Sequence, residues 1–250
     1  MSISAVVLTQ DEERHIGECL AGLTWCDELL VLDSGSADRT VTIAREMGAR
    51  VEERPFDNYP RQRNAAMELA RHGWILFVDA DERVPPELAA EIRTASEDLE
   101  AAGYWIPRRN YIVGRWVRHA GWYPDYQPRL LRRGHARWDE LREVHEVVIF
   151  EGPQAYLKNA LLHHNYDSWP EFLDRQARYT ALEVAYLRRA GTPAAARHMI
   201  TRPLSEFWRR YVALAGYKDG AHGLRLSLLL AYFEGVKYVR LWRGSSGASS

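Results

Sequence analysis

Two carboxylates flanking a single residue, Asp79-Ala80-Asp81, directly follow the apolar run 74–78 (WILFV). Such a pair is a hard-oxygen cluster that suits Mg²⁺ or Mn²⁺ when a diphosphate supplies the remaining ligands. A cation there would neutralise charge on a departing nucleoside diphosphate. The bland alternative is a solvated acidic turn ahead of Pro85-Pro86, because so short a motif is prone to chance. Asp33 ends a second apolar run, ELLVLD, before the turn Ser34-Gly35-Ser36. Asp125 lies in an aromatic stretch, GWYPDY, with Arg129, Arg132 and Arg133 just beyond it.

The elements that would position these groups alternate. Residues 4–9 (SAVVLT), 28–33, 50–53 and 74–78 read as short strands. Helical spacing lies between them over 10–23, 37–47 and 61–71, and a helix over 87–99 follows Pro85-Pro86. This alternation predicts βαβ units and an α/β fold with a mostly parallel sheet flanked by helices. Ligands of such sheets sit at the carboxyl ends of the strands, where Asp33 and Asp79 both fall. From 103 to 151 the chain is aromatic and arginine-rich with strand-like pieces. After Gly152-Pro153 helical spacing takes over, at 169–190, 203–214 and 224–242. The domain expectation is therefore 1–153 for the catalytic part, 154–243 for a helical appendage and 244–250 for a disordered tail.

Net charge of −1 hides an asymmetry: residues 1–154 carry −8 and residues 155–250 carry +7. Halves this different imply two tasks, and the basic, aromatic second part suits an anionic surface. Cys19 and Cys26 form no CxxC pair, which points to a reducing compartment and away from zinc. No signal peptide and no spanning helix is read from the sequence, so the expected location is cytoplasmic, peripheral on the inner face of the cytoplasmic membrane. No nucleic-acid partner is expected.

Four segments in this order, VVLTQDEERHI, VLDSGSADRT, RQRNAAMELA and WILFVDADERV, resemble the family-2 glycosyltransferases of the GT-A fold. The resemblance covers roughly the first 150 residues. The later run RRNYIVGRWVRHAGWYPDYQPRLLRR, with Val144-His145-Glu146, is similar to the branch that includes lipopolysaccharide-core glucosyltransferases. Asp11 departs from the pattern, standing where many relatives have Asn. The resemblance implies an inverting enzyme that takes a hexose, glucose from UDP-glucose, to a lipid-linked saccharide. It places Thr9, Glu12 and Asp33 at the nucleoside, Arg63 and Asn64 at the donor, and Asp79 and Asp81 at a divalent cation. Asp125 occupies the family's place for the catalytic acidic residue, with aromatic neighbours able to stack on sugar faces. Glu143 and Glu146 are alternatives, and His145 is a further metal or phosphate contact.

In the C-terminal part, aromatic and aliphatic residues interleave with basic ones around 202–218 and 225–243, as in helices lying in a bilayer interface. Packing in a homodimer is the other reading. Three further functions fit parts of the sequence: transfer to polyprenyl phosphate, nucleotidyl transfer and a non-catalytic membrane adaptor. Nucleotidyl transfer lacks an early glycine-rich phosphate loop with its lysine, and no GxGxxG follows the first strand to bind a dinucleotide.

Overall fold

The computed structural model describes residues 1–141, 147–192 and 195–246. The parallel strands β1 (Ile3–Thr9), β2 (Glu28–Asp33), β3 (Arg50–Glu53) and β4 (Trp74–Phe77) stand in the order β3-β2-β1-β4. β1, β2 and β4 read as apolar runs because both faces are covered, as parallel sheets require, whereas the edge strand β3 is charged and half-exposed. Strand alternation divides them. Ala5, Val7, Val31, Trp74 and Leu76 pack with α1 (Ile16–Ala21), α2 (Thr40–Glu46) and α4 (Pro86–Ala95). Val6, Leu30, Leu32, Ile75 and Phe77 face the other way, toward Ala66 and Met67 of α3 (Tyr59–Leu69).

The sheet continues past β4, in the order β8-β6-β12-β5. These strands are β5 (Glu82–Arg83), β6 (Gly103–Ile112), β8 (Asp125–Arg132) and β12 (Leu161–Tyr166). Strands β7 (Arg115–Trp116) and β11 (Gln154–Tyr156) also pair with β6. A separate hairpin joins β9 (Ala136–Trp138) to β10 (Val148–Phe150). Two registers matter below: Arg108 opposes Asp125 across β6 and β8, and His163 opposes Glu82 across β12 and β5.

Two compact units result. One comprises Met1–Arg108 and Asp125–His163, the other Arg109–Pro124 and His164–Ser250. In the second unit Ile112, Val117, Tyr166, Phe172 and Leu226 form a core. Its helices are α5 (Trp169–Arg189), α6 (His198–Phe207), continued by a π-helical turn over Trp208–Ala213, and α7 (Gly220–Ser246).

Several boundaries differ from the sequence reading. α3 begins at Tyr59 rather than 61, because Asn58 caps it by accepting from the Arg61 amide and Pro60 fits the first turn. Residues 154–156 and 161–166 are strands within the part expected to be a helical appendage, whose first helix begins at Trp169 as the sequence reading has it. Pro203 lies inside α6 rather than opening a helix. α7 starts earlier, at Gly220, and runs on to Ser246, into the expected disordered tail; residues 247–250 lie outside the described residues. No helix among the described residues is long and apolar enough to cross a membrane.

Candidate functional site

The carboxyl ends of β1, β2 and β4 bring the first-unit candidates together. Asp33 is 1% exposed and its four acceptor positions are filled. The Thr9 hydroxyl donates to Oδ1 at 2.8 Å and the Ser36 hydroxyl at 2.6 Å. The amides of Gly35 and Ser36 donate to Oδ2 at 2.9 and 2.8 Å. Asp33 thus ties the first strand's end to the turn after the second. Asp11 belongs to the same knot: its amide donates to the Ser36 hydroxyl and its Oδ1 accepts from the Ala37 amide. Its φ of 56° is a left-handed conformation that Asn and Asp tolerate best among non-glycine residues, so the Asn-to-Asp departure keeps the backbone.

Beside this knot lies a cavity of about 180 Å³ lined by Thr9, Glu12, Ser34, Phe56, Tyr59 and Gln62, among others. Phe56 and Tyr59 meet edge to face, with centroids 5.0 Å apart. The sequence reading placed Thr9 and Glu12 here but missed both aromatics. A legible signal existed: FDNYP puts an exposed aromatic on either side of a helix cap.

The other half of the site is a chain of alternating charges. Arg63, on α3, reaches Asp79 Oδ1 at 3.4 Å, while its guanidinium stacks over Trp138 at 4.8 Å. Arg129, from β8, bridges both oxygens of Asp79 and also holds Glu82 Oε1 at 2.7 Å. Arg108, from β6, reaches the same Glu82 oxygen at 3.4 Å and grips Asp125 Oδ2 through Nε at 2.8 Å and Nη2 at 2.7 Å. Gln127 donates to the other Asp125 oxygen at 2.8 Å. Three guanidinia thus alternate with three carboxylates from Arg63 to Asp125. Burial alone would raise the Asp79 pKa, but Arg129 and Arg63 outweigh it and hold the carboxyl well below the usual range. The same carboxylates hold the buried Arg129 firmly protonated against desolvation.

Asp81 points elsewhere. Its Oδ2 lies 3.4 Å from His163 Nε2, brought there by the β12–β5 register. Both side chains are largely buried, at 20% and 9% exposure. Among the described residues no group of three His, Cys, Asp or Glu side chains converges to hold a metal. An oxygen and a nitrogen donor do converge at Asp81 and His163. One carboxylate and one imidazole would leave most positions of a divalent cation to phosphate and water, and the nitrogen donor suits a transition ion such as Mn²⁺ better than Mg²⁺.

Asn64 is committed to structure: its amide nitrogen donates to the Trp138 carbonyl and its oxygen accepts from the Trp138 amide. Trp122 and Tyr123 belong to the second unit, Asp125 to the first. Glu143, His145 and Glu146 lie outside the described residues. Sequence reasoning missed Glu82, Arg108 and His163, although Glu82 directly follows the acidic triplet.

The chain belongs to glycosyl transferase family 2, which its residues 4–151 match. It is 27% identical to the lipopolysaccharide core biosynthesis glycosyltransferase LpsC of Rhizobium meliloti (strain 1021), over 96% of this chain and 90% of that protein. An uncharacterized glycosyltransferase of Rickettsia felis (strain ATCC VR-1525 / URRWXCal2) is 40% identical over 96% of this chain and 89% of its own length. The crystal structure of S. aureus TarS 1-349 shares the fold, with a TM-score of 0.50 and 15% identity over 96% of this chain and 92% of that one. The protein is therefore a glycosyltransferase with a GT-A-type α/β fold and C-terminal helices.

Proposed function

We propose that the first unit transfers glucose from UDP-glucose, with inversion, onto a lipid-linked saccharide such as the lipopolysaccharide inner core. The observation that carries this reading is the charge chain running from Asp79 at the end of β4 to Asp125 on β8. It holds Asp79 and Asp125 in fixed orientation, and it begins at Arg63, next along α3 to Gln62, which lines the cavity that holds Phe56 and Tyr59. The LpsC relative, by name a lipopolysaccharide core biosynthesis enzyme, supports the acceptor class.

In this reading Phe56 and Tyr59 flank the uracil, Thr9 and Glu12 line its pocket, and Asp33 acts by tying the two loops. Arg63 and Asp79 steady the donor. Asp81 and His163 would hold a divalent cation, which when bound supplies neutralisation of the diphosphate charge. The acceptor hydroxyl attacks C1 of glucose and passes its proton to Asp125. The C1–oxygen bond to UDP breaks on the opposite face, with its electron pair leaving on the diphosphate. Arg108 and Gln127 aim the Asp125 carboxylate for that proton transfer.

The test is incubation of the full chain with labelled UDP-glucose, Mn²⁺ and lipopolysaccharide truncated to its inner core. Label is expected in the lipopolysaccharide, in the anomeric configuration opposite to the donor's when the product is examined by NMR. Label on added polyprenyl phosphate alone would transfer the reading to that acceptor. Retention of configuration would refute the single displacement.

A further inference from the structure

The second unit carries a cavity of about 680 Å³ between α6 and α7 that the transfer reaction does not use. Its apolar lining includes Leu204, Phe207, Leu228, Tyr232, Val236 and Val239. On α7 these residues recur at helical spacing, so one continuous stripe faces the groove. Large side chains stand open to solvent there: Leu204 is 64% exposed, Leu228 53% and Tyr232 62%. Gly235 allows the close approach of α6, since a Cβ there would meet Pro203 Cγ at 3.1 Å.

Charge identifies the occupant. Arg240 and Arg243 line the groove toward the end of α7, and neither guanidinium has a carboxylate partner among the described residues. The acidic residues of this region are already engaged. Glu206 holds Arg209 and Arg210, Glu234 and Glu183 hold Lys237, and Asp219 holds His119. A second copy packed groove against groove would bring two more arginines toward the first pair, while the carboxylates of α6 and α7 are already paired, so like charges would meet. An apolar groove with cations at one end instead matches an apolar chain that carries an anion.

We propose that this groove seats the acyl chains of an anionic phospholipid at a membrane surface, with Arg240 and Arg243 on its phosphate. The purpose of such a seat rests on the lipid-borne acceptor proposed above; its chemistry rests on the groove alone. Apolar burial and phosphate pairing then act together, as they do for interfacial helices and anionic leaflets.

The experiment is flotation of the full chain with vesicles of phosphatidylcholine alone, or of phosphatidylcholine containing phosphatidylglycerol. The parent should partition into the anionic vesicles roughly tenfold or more better than into the neutral ones. Arg240→Ala/Arg243→Ala should remove most of that preference. Leu204→Glu/Leu228→Glu, at exposed positions that leave the core untouched, should abolish binding to both kinds. Equal flotation of these variants and the parent would overturn the proposal. So would a parent dimer in solution that Leu228→Glu splits, since a second copy would then cover the groove. UDP binding measured on the same preparations separates the two readings. Intact nucleotide binding without vesicle binding overturns only the groove. Vesicle binding lost by the variants, in a chain that never binds UDP, supports the groove and overturns the transfer reading.

Discussion

Asp125→Asn should lower turnover by roughly 10²-fold or more, with binding of UDP nearly unchanged. The substitution preserves shape and the Gln127 and Arg108 neighbours but removes the group that accepts the hydroxyl proton. The loss should fall on kcat, because proton removal occurs only in the transition state. Arg108 is a positioning residue for the same step, so Arg108→Lys should cost less, keeping a charge beside Asp125 without the two-pronged grip. Single-turnover kinetics with saturating donor check both. Retained turnover in Asp125→Asn would remove the proton-acceptor role from this residue.

The second large effect concerns stability. Arg129 is 3% exposed and Glu82 is fully buried, joined at 2.7 Å. Removing one partner of a buried pair leaves the other uncompensated, at a cost of about 3 kcal/mol. Arg129→Met should therefore lower the Tm by roughly 6–12 °C for a chain of this size. Arg108 still reaches Glu82 at 3.4 Å, which keeps the cost from rising further. Adding Glu82→Gln to Arg129→Met should recover part of the loss, because the unpaired charge disappears. Calorimetry of the parent, the single and the double variant checks this. An unchanged Tm in Arg129→Met would mean the charge chain does not hold the site together.

Much of the first unit was legible because parallel strands buried on both faces read as apolar runs, and because ligands of such sheets gather at strand ends. Asp33 and Asp79 could be placed that way. Their partners could not. Arg108, Arg129, Glu82 and His163 meet through the registers of β5, β6, β8 and β12, which are set by pairing between segments far apart in sequence. Asp33 shows the opposite difficulty. Its position at a strand end was readable, but the four donors that fill its oxygens come from the end of β1 and the turn after β2 and meet only on folding. Local rules also failed inside α6, where Pro203 is tolerated although proline normally opens a helix. The two units interleave along the chain, and no shift in composition marks the passages at Arg108, Pro124 and His163.

We propose a cation-assisted nucleotide-sugar site built on the first unit. It is tested most directly by calorimetric titration of UDP into the full chain with and without Mn²⁺, repeated on Asp81→Asn. Mn²⁺ should strengthen UDP binding in the parent and have little effect in Asp81→Asn, which keeps side-chain volume but loses the anionic donor. UDP binding that is indifferent to Mn²⁺ in the parent, or equally Mn²⁺-dependent in Asp81→Asn, would contradict it.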